Sequence, residues 1–248
     1  MLMKFILYMN KKLFFILVLS CFQCVAVEEK TGISELYKND IATLVEQADI
    51  NSKTDIELAS KLAEQARIHL EKLPNQNIKA RLFNIIAYLN ILSGDYSNSF
   101  NYSDRAMRIA LDIGDMREEA ESYRLKATVL IFYGLHSESL PLFLKALQIH
   151  QRLNSDRVFD TLQGFSLYYR SVGNYTKYLE YGYLLLERVK NTKTGVNRGL
   201  AEYTIGEGLL KLGKFEEAKE HLNNSISALS YVDSNFVSEA YVSLAELE

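Results

Sequence analysis

The amino-acid sequence predicts an all-α protein, a solenoid of antiparallel helix pairs, on three observations. Only 2 prolines stand in 248 residues rich in Leu, Ala, Glu and Lys, a composition that favours uninterrupted helices over strands and turns. A ladder of small and large residues around a glycine recurs at Gly94, Gly134, Gly173 and Gly213, at spacings of 40, 39 and 40. Four copies in register are the mark of a repeat architecture. Each glycine is flanked on both sides by the apolar stripe of an amphipathic helix. No such unit has enough apolar surface to fold alone, so the units must stack and bury their stripes against one another.

The clearest copy is Ile205 to Ile226, with Gly206, Leu209, Phe215, Ala218, Leu222 and Ser225 on the ladder. Gly213 is placed to end the first helix in a left-handed conformation, and Glu216 and Glu217 put negative charge at the positive N-terminus of the second. In chain order, Glu35 to Asp49 and Asp55 to Lys72 form a pair without the glycine. Thr54 stands in its place, and Ala59, Ala63 and Ala66 take the positions that Ser99, Ser103 and Ala106 hold one period later. Asn84 to Asp112 gives the second pair, closed by Ile113-Gly114-Asp115, which punctuates the step to the third. That third pair is Glu118 to Tyr133 and Ser137 to Leu153. With Ser137 as N-cap, Pro141 falls in or just past the first turn, where a missing N–H costs little. Asp160 to Val172 and Lys177 to Val189 form the fourth, the least regular pair, with Tyr178 and Gly182 on its ladder. After the fifth, Asn235 to Glu248 has the stripe Ala240, Leu244 and Leu247, the first helix of a sixth unit. Its turn glycine would fall beyond the last residue, and a solenoid normally finishes on a polar capping helix, so the expectation is a piece of a longer array.

The N-terminus reads as an address. Lys4, Lys11 and Lys12 precede the apolar run Leu13 to Leu19, small or uncharged residues follow to Ala26, and Glu28-Glu29 come next. That is the order of a secretory signal peptide over residues 1–26, cleaved after Ala26. The rivals are a lipoprotein cut before Cys21 and an uncleaved anchor. Cys21 and Cys24 are the only cysteines, so the exported chain would have no thiol for a disulfide, a nucleophile or a metal. Loss of the three lysines from 28 basic residues leaves 25 against 31 acidic, a formal charge of −6. Nucleic acid is a poor partner for such a chain.

Catalytic and cofactor patterns are absent or broken. Gly208 to Phe215 has phosphate-loop spacing, but Phe215 stands where Ser or Thr must hold magnesium, and Gly208 falls within a predicted helix. His69, His136, His150 and His221 are scattered over different units, none at a two-ligand helical spacing, so no metal or other cofactor is expected. Glu118, Glu119 and Glu121, like Glu216, Glu217 and Glu220, read as first-turn or polar-face residues. Tyr168, Tyr169, Tyr175, Tyr178, Tyr181, Tyr183 and Tyr203 crowd the fourth and fifth units. Packing between wide helices and a tyrosine-lined pocket are both open readings of them.

Gly94-Asp95-Tyr96, Gly173-Asn174-Tyr175 and Gly213-Lys214-Phe215, with Ala106, Ala146 and Ala218 at small positions, resemble the tetratricopeptide repeat. The likeness covers residues 33–248, with a period nearer 40 than about 34 and no Trp. Longer units with an Ile-Gly-Asp linker are similar to the extended repeats of bacterial regulators. The resemblance implies a right-handed superhelix of antiparallel helix pairs that binds a protein or peptide on its concave groove and is not itself an enzyme. It also implies the periplasmic sensor or interaction region of a membrane-bound signalling protein of diguanylate cyclase or histidine kinase type. A free-standing or lipid-anchored envelope scaffold is the alternative. Membrane contact would run through an N-terminal anchor or a segment after residue 248. By register the concave face would carry Arg81, Asn84, Tyr88, Arg124, Thr128, Gln163, Arg170, Tyr203, Glu207 and Lys211, with four cations for charge-assisted hydrogen bonds to a peptide.

Overall fold

The computed structural model describes residues 41–70, 75–191, 195–229 and 235–247. The segment read as an export signal, and the expected start of the first pair at Glu35, lie outside the described residues. The chain divides into two compact units, Met1–Thr43 and Leu44–Glu248. In the first, the described residues 41–43 are helical.

The second unit is all helix and turn, with no strand among the described residues. Helix α1 covers 44–51 here, followed by α2 (Ile56–Leu70). Then come α3 (Gln76–Leu92) with α4 (Tyr96–Ile113), and α5 (Met116–Phe132) with α6 (His136–Arg152). After them follow α7 (Val158–Ser171) with α8 (Tyr175–Arg188), α9 (Val196–Lys211) with α10 (Phe215–Leu229), and α11 (Asn235–Ala245). Consecutive helices pack together, and the first helices also touch across pairs, α3 on α5, α5 on α7 and α9 on α11. That connectivity is an α-solenoid of helix pairs.

The two helices of a pair bury different fractions of their surface for a geometric reason. A first helix packs against its own second helix, the second helix of the preceding pair and a neighbouring first helix, and in α9, which touches α8, α10 and α11, every residue from Gly199 to Leu210 is buried. A second helix faces solvent on its far side, so α10 buries only the stripe Ala218, Leu222, Ser225, Ala228 and Leu229. Close approach of helices within a pair and between adjacent pairs requires the small residues of the ladder. A Cβ at Gly206 would stand 2.8 Å from Leu222, and one at Gly182 2.9 Å from Ile205, separations that packed cores do not tolerate.

The turns follow the sequence motif. Gly94, Gly134, Gly173 and Gly213 have φ of 79°, 73°, 71° and 75°, the left-handed region that glycine enters without a Cβ penalty. Asp95 and Asn174 then cap the second helices by accepting from the backbone N–H of Asn98 at 3.0 Å and Lys177 at 3.1 Å. Gly114, φ 71°, ends α4, and Asp115 caps α5.

Two expectations on element starts are corrected. Helix α3 begins at Gln76 rather than Asn84, because Asn75 caps it by accepting from Ile78 N–H at 3.2 Å, and this leaves Asn84 in mid-helix. Helix α6 begins at His136 behind Leu135, which makes no side-chain cap, so Ser137 is not the N-cap and Pro141 is an interior residue. The helix continues through it as expected; the proline removes the donor to the Ser137 carbonyl. Gly208 lies inside α9, as the sequence predicts, so the phosphate-loop spacing has no loop there. Among the described residues no helix is long and apolar enough to cross a membrane.

Candidate functional site

On the first-helix side of the array two cavities adjoin, of about 240 Å³ and about 350 Å³. They share Ser52, Lys53, Tyr88, Arg124 and Gln163 as lining, so they are two chambers of one hollow. The smaller is polar, walled by the α1–α2 turn, α3, α5 and the start of α7. The larger is more apolar, with Ile91, Phe132, Leu167, Val196 and Leu200 among its walls. Its size is at the low end of small-ligand pockets.

The residues placed on the inner face by register come to this hollow in three groups. Arg81 and Asn84 line the polar chamber, while Tyr88, Arg124 and Gln163 stand at the junction. Thr128, Arg170 and Tyr203 line the apolar chamber. Glu207 lies behind Arg170, accepting from Arg170 Nε at 2.8 Å and from the Tyr178 hydroxyl at 2.7 Å. Lys211 lines neither chamber and pairs with Glu246 at 2.9 Å.

The structure differs from the expected four free cations: each is already engaged by a carboxylate of the chain. Arg124 Nε and Nη2 donate to Glu121 at 3.0 and 2.5 Å. Arg81 donates to Asp49 at 2.7 Å, Arg170 to Glu207 at 2.8 Å, and Lys211 to Glu246. Glu118 and Glu121 are likewise not solvated polar-face residues; they are 4% and 3% exposed. The reason is the buried setting of a first helix, which leaves α5 no fully solvated face. Asn84 is not free either, since its amide nitrogen donates to the Glu118 side chain at 2.9 Å and its oxygen accepts from Ser122 at 2.9 Å.

Sequence reasoning missed the polar chamber's far wall. Lys53 Nζ donates to Asp160 at 2.6 Å, and Arg157 donates to Asp49 at 2.8 Å. These bonds join the α1–α2 turn to the start of α7, 107 and 108 positions away. Arg157 also reaches Glu121 at 3.3 Å, so one network ties α1, α3, α5 and α7. No periodic signal marks Asp49 or Lys53, because the first pair's turn has lost the glycine. Glu121 read as a polar-face acid; its place one helical turn before Arg124 is the signal that marks it as that residue's partner.

Charge states follow from these neighbours. Burial works against ionising Glu121, but Arg124 and Arg157 outweigh it and hold the carboxyl far below its usual range. Glu118 has no such cation bonded to it, and burial holds its carboxyl above the usual range despite the Asn84 bond. Burial pushes the Tyr88 hydroxyl up to about 12, with Arg124 opposing. Tyr88 is therefore a neutral donor and acceptor at the junction. Burial also raises the Tyr178 hydroxyl well above its ordinary value, and the Glu207 charge adds to that. Of the tyrosines left open by the sequence, Tyr178 and Tyr203 line the hollow, while Tyr168, Tyr169 and Tyr181 pack against the Phe143–Phe165 core.

Beneath the network His150 is fully buried, and neither ring nitrogen has a hydrogen-bond partner. Burial lowers its pKa, with the Glu121 charge opposing. Its folded pKa is thus below the unfolded value of about 6.5, and below that pH the unfolded chain binds a proton that the folded chain resists. Stability should fall as pH drops through about 6.5. His150→Leu is expected to raise the melting temperature more at pH 5.5 than at pH 7.5. Equal shifts at both would mean that His150 does not set the slope.

No family model matches the chain, and no curated protein matches it. Among solved structures it is similar to a Rap protein complexed with Competence and Sporulation Factor, at 15% identity and a TM-score of 0.67, over 81% of this chain and 56% of that one. It is similar to NprR in complex with its cognate peptide NprX, at 14% identity and a TM-score of 0.63, over 93% and 71%. A third is a signal transduction ATPase of Pyrococcus horikoshii with a tetratricopeptide repeat sensor, at 18% identity and a TM-score of 0.59, over 85% of this chain and 32% of that one. By fold, this chain is a tetratricopeptide-repeat-like array. The hollow of this repeat-like array is built from its first helices, α3, α5, α7 and α9, with the first turn closing one end.

Proposed function

We propose that the array is a non-catalytic peptide- or protein-binding module and that the two-chambered hollow is its recognition site. The observation that carries this reading is the continuity of the hollow: a charged chamber and an apolar one meet at Tyr88, Arg124 and Gln163. Such a surface offers pockets for side chains and hydrogen-bonding groups for a backbone. The solved NprR and Rap neighbours, each with a bound peptide or factor, support it as analogues of fold.

Gln163 is the residue that tests it. It lines both chambers, and its side-chain amide makes no hydrogen bond with the described residues, so removing it leaves the ion-pair network intact. Against a pool of synthetic peptides, Gln163→Ala in the full chain should weaken the retained binders about tenfold, or about 1.4 kcal/mol, with an unchanged melting temperature. Unchanged affinity in Gln163→Ala and in Thr128→Val would place recognition elsewhere.

The same reading extends to the setting. We infer an exported sensor or interaction region of a membrane-bound signalling protein, supported by the charge and apolar order of residues 1–26 and by the repeat sensor of the Pyrococcus ATPase. A C-terminally tagged chain should be protease-accessible once the outer envelope is opened; protection until the inner membrane is lysed would refute export.

A further inference from the structure

The polar chamber is unbalanced in a way that specifies a ligand. Five carboxylates and four cationic side chains line it. Lys53, Arg81, Arg124 and Arg157 are all taken up by Asp160, Asp49 and Glu121. Glu118 and Asp156 remain without an ion pair among the described residues. Asp156 is exposed and water balances it, whereas Glu118 is 4% exposed and faces the cavity. Its polar partner is the neutral Asn84 amide, at 2.9 Å to one carboxylate oxygen, and that amide is itself fixed by Ser122 and by the Glu118 carbonyl at 3.0 Å. A neutral donor satisfies a hydrogen-bonding lone pair but does not neutralise a buried charge. The raised carboxyl pKa agrees with this lack of a bonded cation, with Arg157 acting only at a distance.

We propose that the polar chamber receives a cationic group, an ammonium or a guanidinium, of a peptide whose adjacent apolar side chains fill the second chamber, with Glu118 as the counter-charge. The inference rests on the peptide-binding reading and adds the ligand's chemistry. A cationic donor at Glu118, the one buried carboxylate of the chamber without a bonded cation, completes a charge-assisted hydrogen bond in a nearly dry setting, the strong kind. A cavity of about 240 Å³ holds such a head and its stem. The junction at Tyr88 and Gln163 then leads the ligand toward the walls at Phe132 and Leu200. An anionic group would instead have to displace a carboxylate from Arg124, Arg157 or Arg81.

The test uses the full chain and four pools of random synthetic pentapeptides. One pool has a free amino terminus with Lys and Arg included, one is N-acetylated with Lys and Arg, one has a free terminus without them, and one is acetylated without them. Retention of the cation-bearing pools should exceed that of the fully blocked pool about tenfold. The second and third pools show whether the cation is a side chain or the terminus. Glu118→Gln, which keeps an oxygen to accept from Asn84, should reduce the preference to about twofold or less, while Glu138→Gln, at an exposed acid that lines neither chamber, keeps it. On the unmodified chain, millimolar n-butylammonium chloride should displace the cationic peptides and n-butanol should not. Equal retention of all pools, an unchanged preference in Glu118→Gln, or no competition by n-butylammonium would overturn the inference while leaving peptide binding standing. Retention of no pool would overturn both.

Discussion

Replacing Glu121 by alanine should destabilise the array by about 3–5 kcal/mol, the range for stranding one member of a buried ion pair. The carboxylate is 3% exposed and is held by two hydrogen bonds from Arg124, itself 8% exposed, and by Arg157 at 3.3 Å. Without it, the Arg124 guanidinium is left nearly dry beside Tyr88, with ring and cation 5.8 Å apart. A cation–π contact of about 1–2 kcal/mol does not offset that. The urea midpoint of Glu121→Ala against wild type measures the loss. Paired replacement by Glu121→Leu and Arg124→Met should recover part of it, because exchanging both charges for apolar groups of similar size is far cheaper than removing one. A loss below about 1 kcal/mol for the single variant would show that water reaches the pair and that the chamber is wetter than described.

The other large effect belongs to the core. Phe143 is fully buried between α6 and α7 and packs on Phe165, centroids 5.5 Å apart. Phe143→Ala should cost about 3–5 kcal/mol through lost transfer energy and the cavity left behind. Its partner across the crossing is Gly164, where an added Cβ would run into the Phe143 ring. Gly164→Ala alone is therefore expected to destabilise by about 1–3 kcal/mol from overpacking. In the Phe143→Ala background the same change should be neutral or stabilising, since the space is open and alanine is the better helix former by about 0.5–1 kcal/mol. Additive chemical-denaturation energies in the double variant would mean that the two positions do not meet.

The repeat, the turn glycines and the small residues at the crossings were legible in the sequence because each is imposed by a local requirement. Gly213 needs a positive φ, and Gly206 must admit Leu222. Helix starts were less legible: the α3 cap, Asn75, falls well ahead of the point where the ladder becomes regular, and Leu135 caps α6 without a side-chain bond. Register also brought eight of the ten inner-face residues to the hollow. It could not show what they do there. Whether Arg124 reaches a ligand or Glu121 depends on a residue three positions away that reads as an ordinary polar-face acid until the neighbouring helices bury it. The contacts of Asp49 and Lys53 with Arg157 and Asp160 depend on superhelical curvature, which no 40-residue window contains.

Those last contacts alter how the array should come apart. In a plain stack each unit answers only to its neighbours, so melting can start at one end and travel inward. Here the opening turn is tethered to the fourth pair by two short bonds spanning 107 and 108 positions, and the first pair cannot fray without tearing a structure three units away. The intervening helices are thereby enclosed in a single loop whose closure is entropically costly to form, so folding should be slower and melting more all-or-none than a linear array of this length would give.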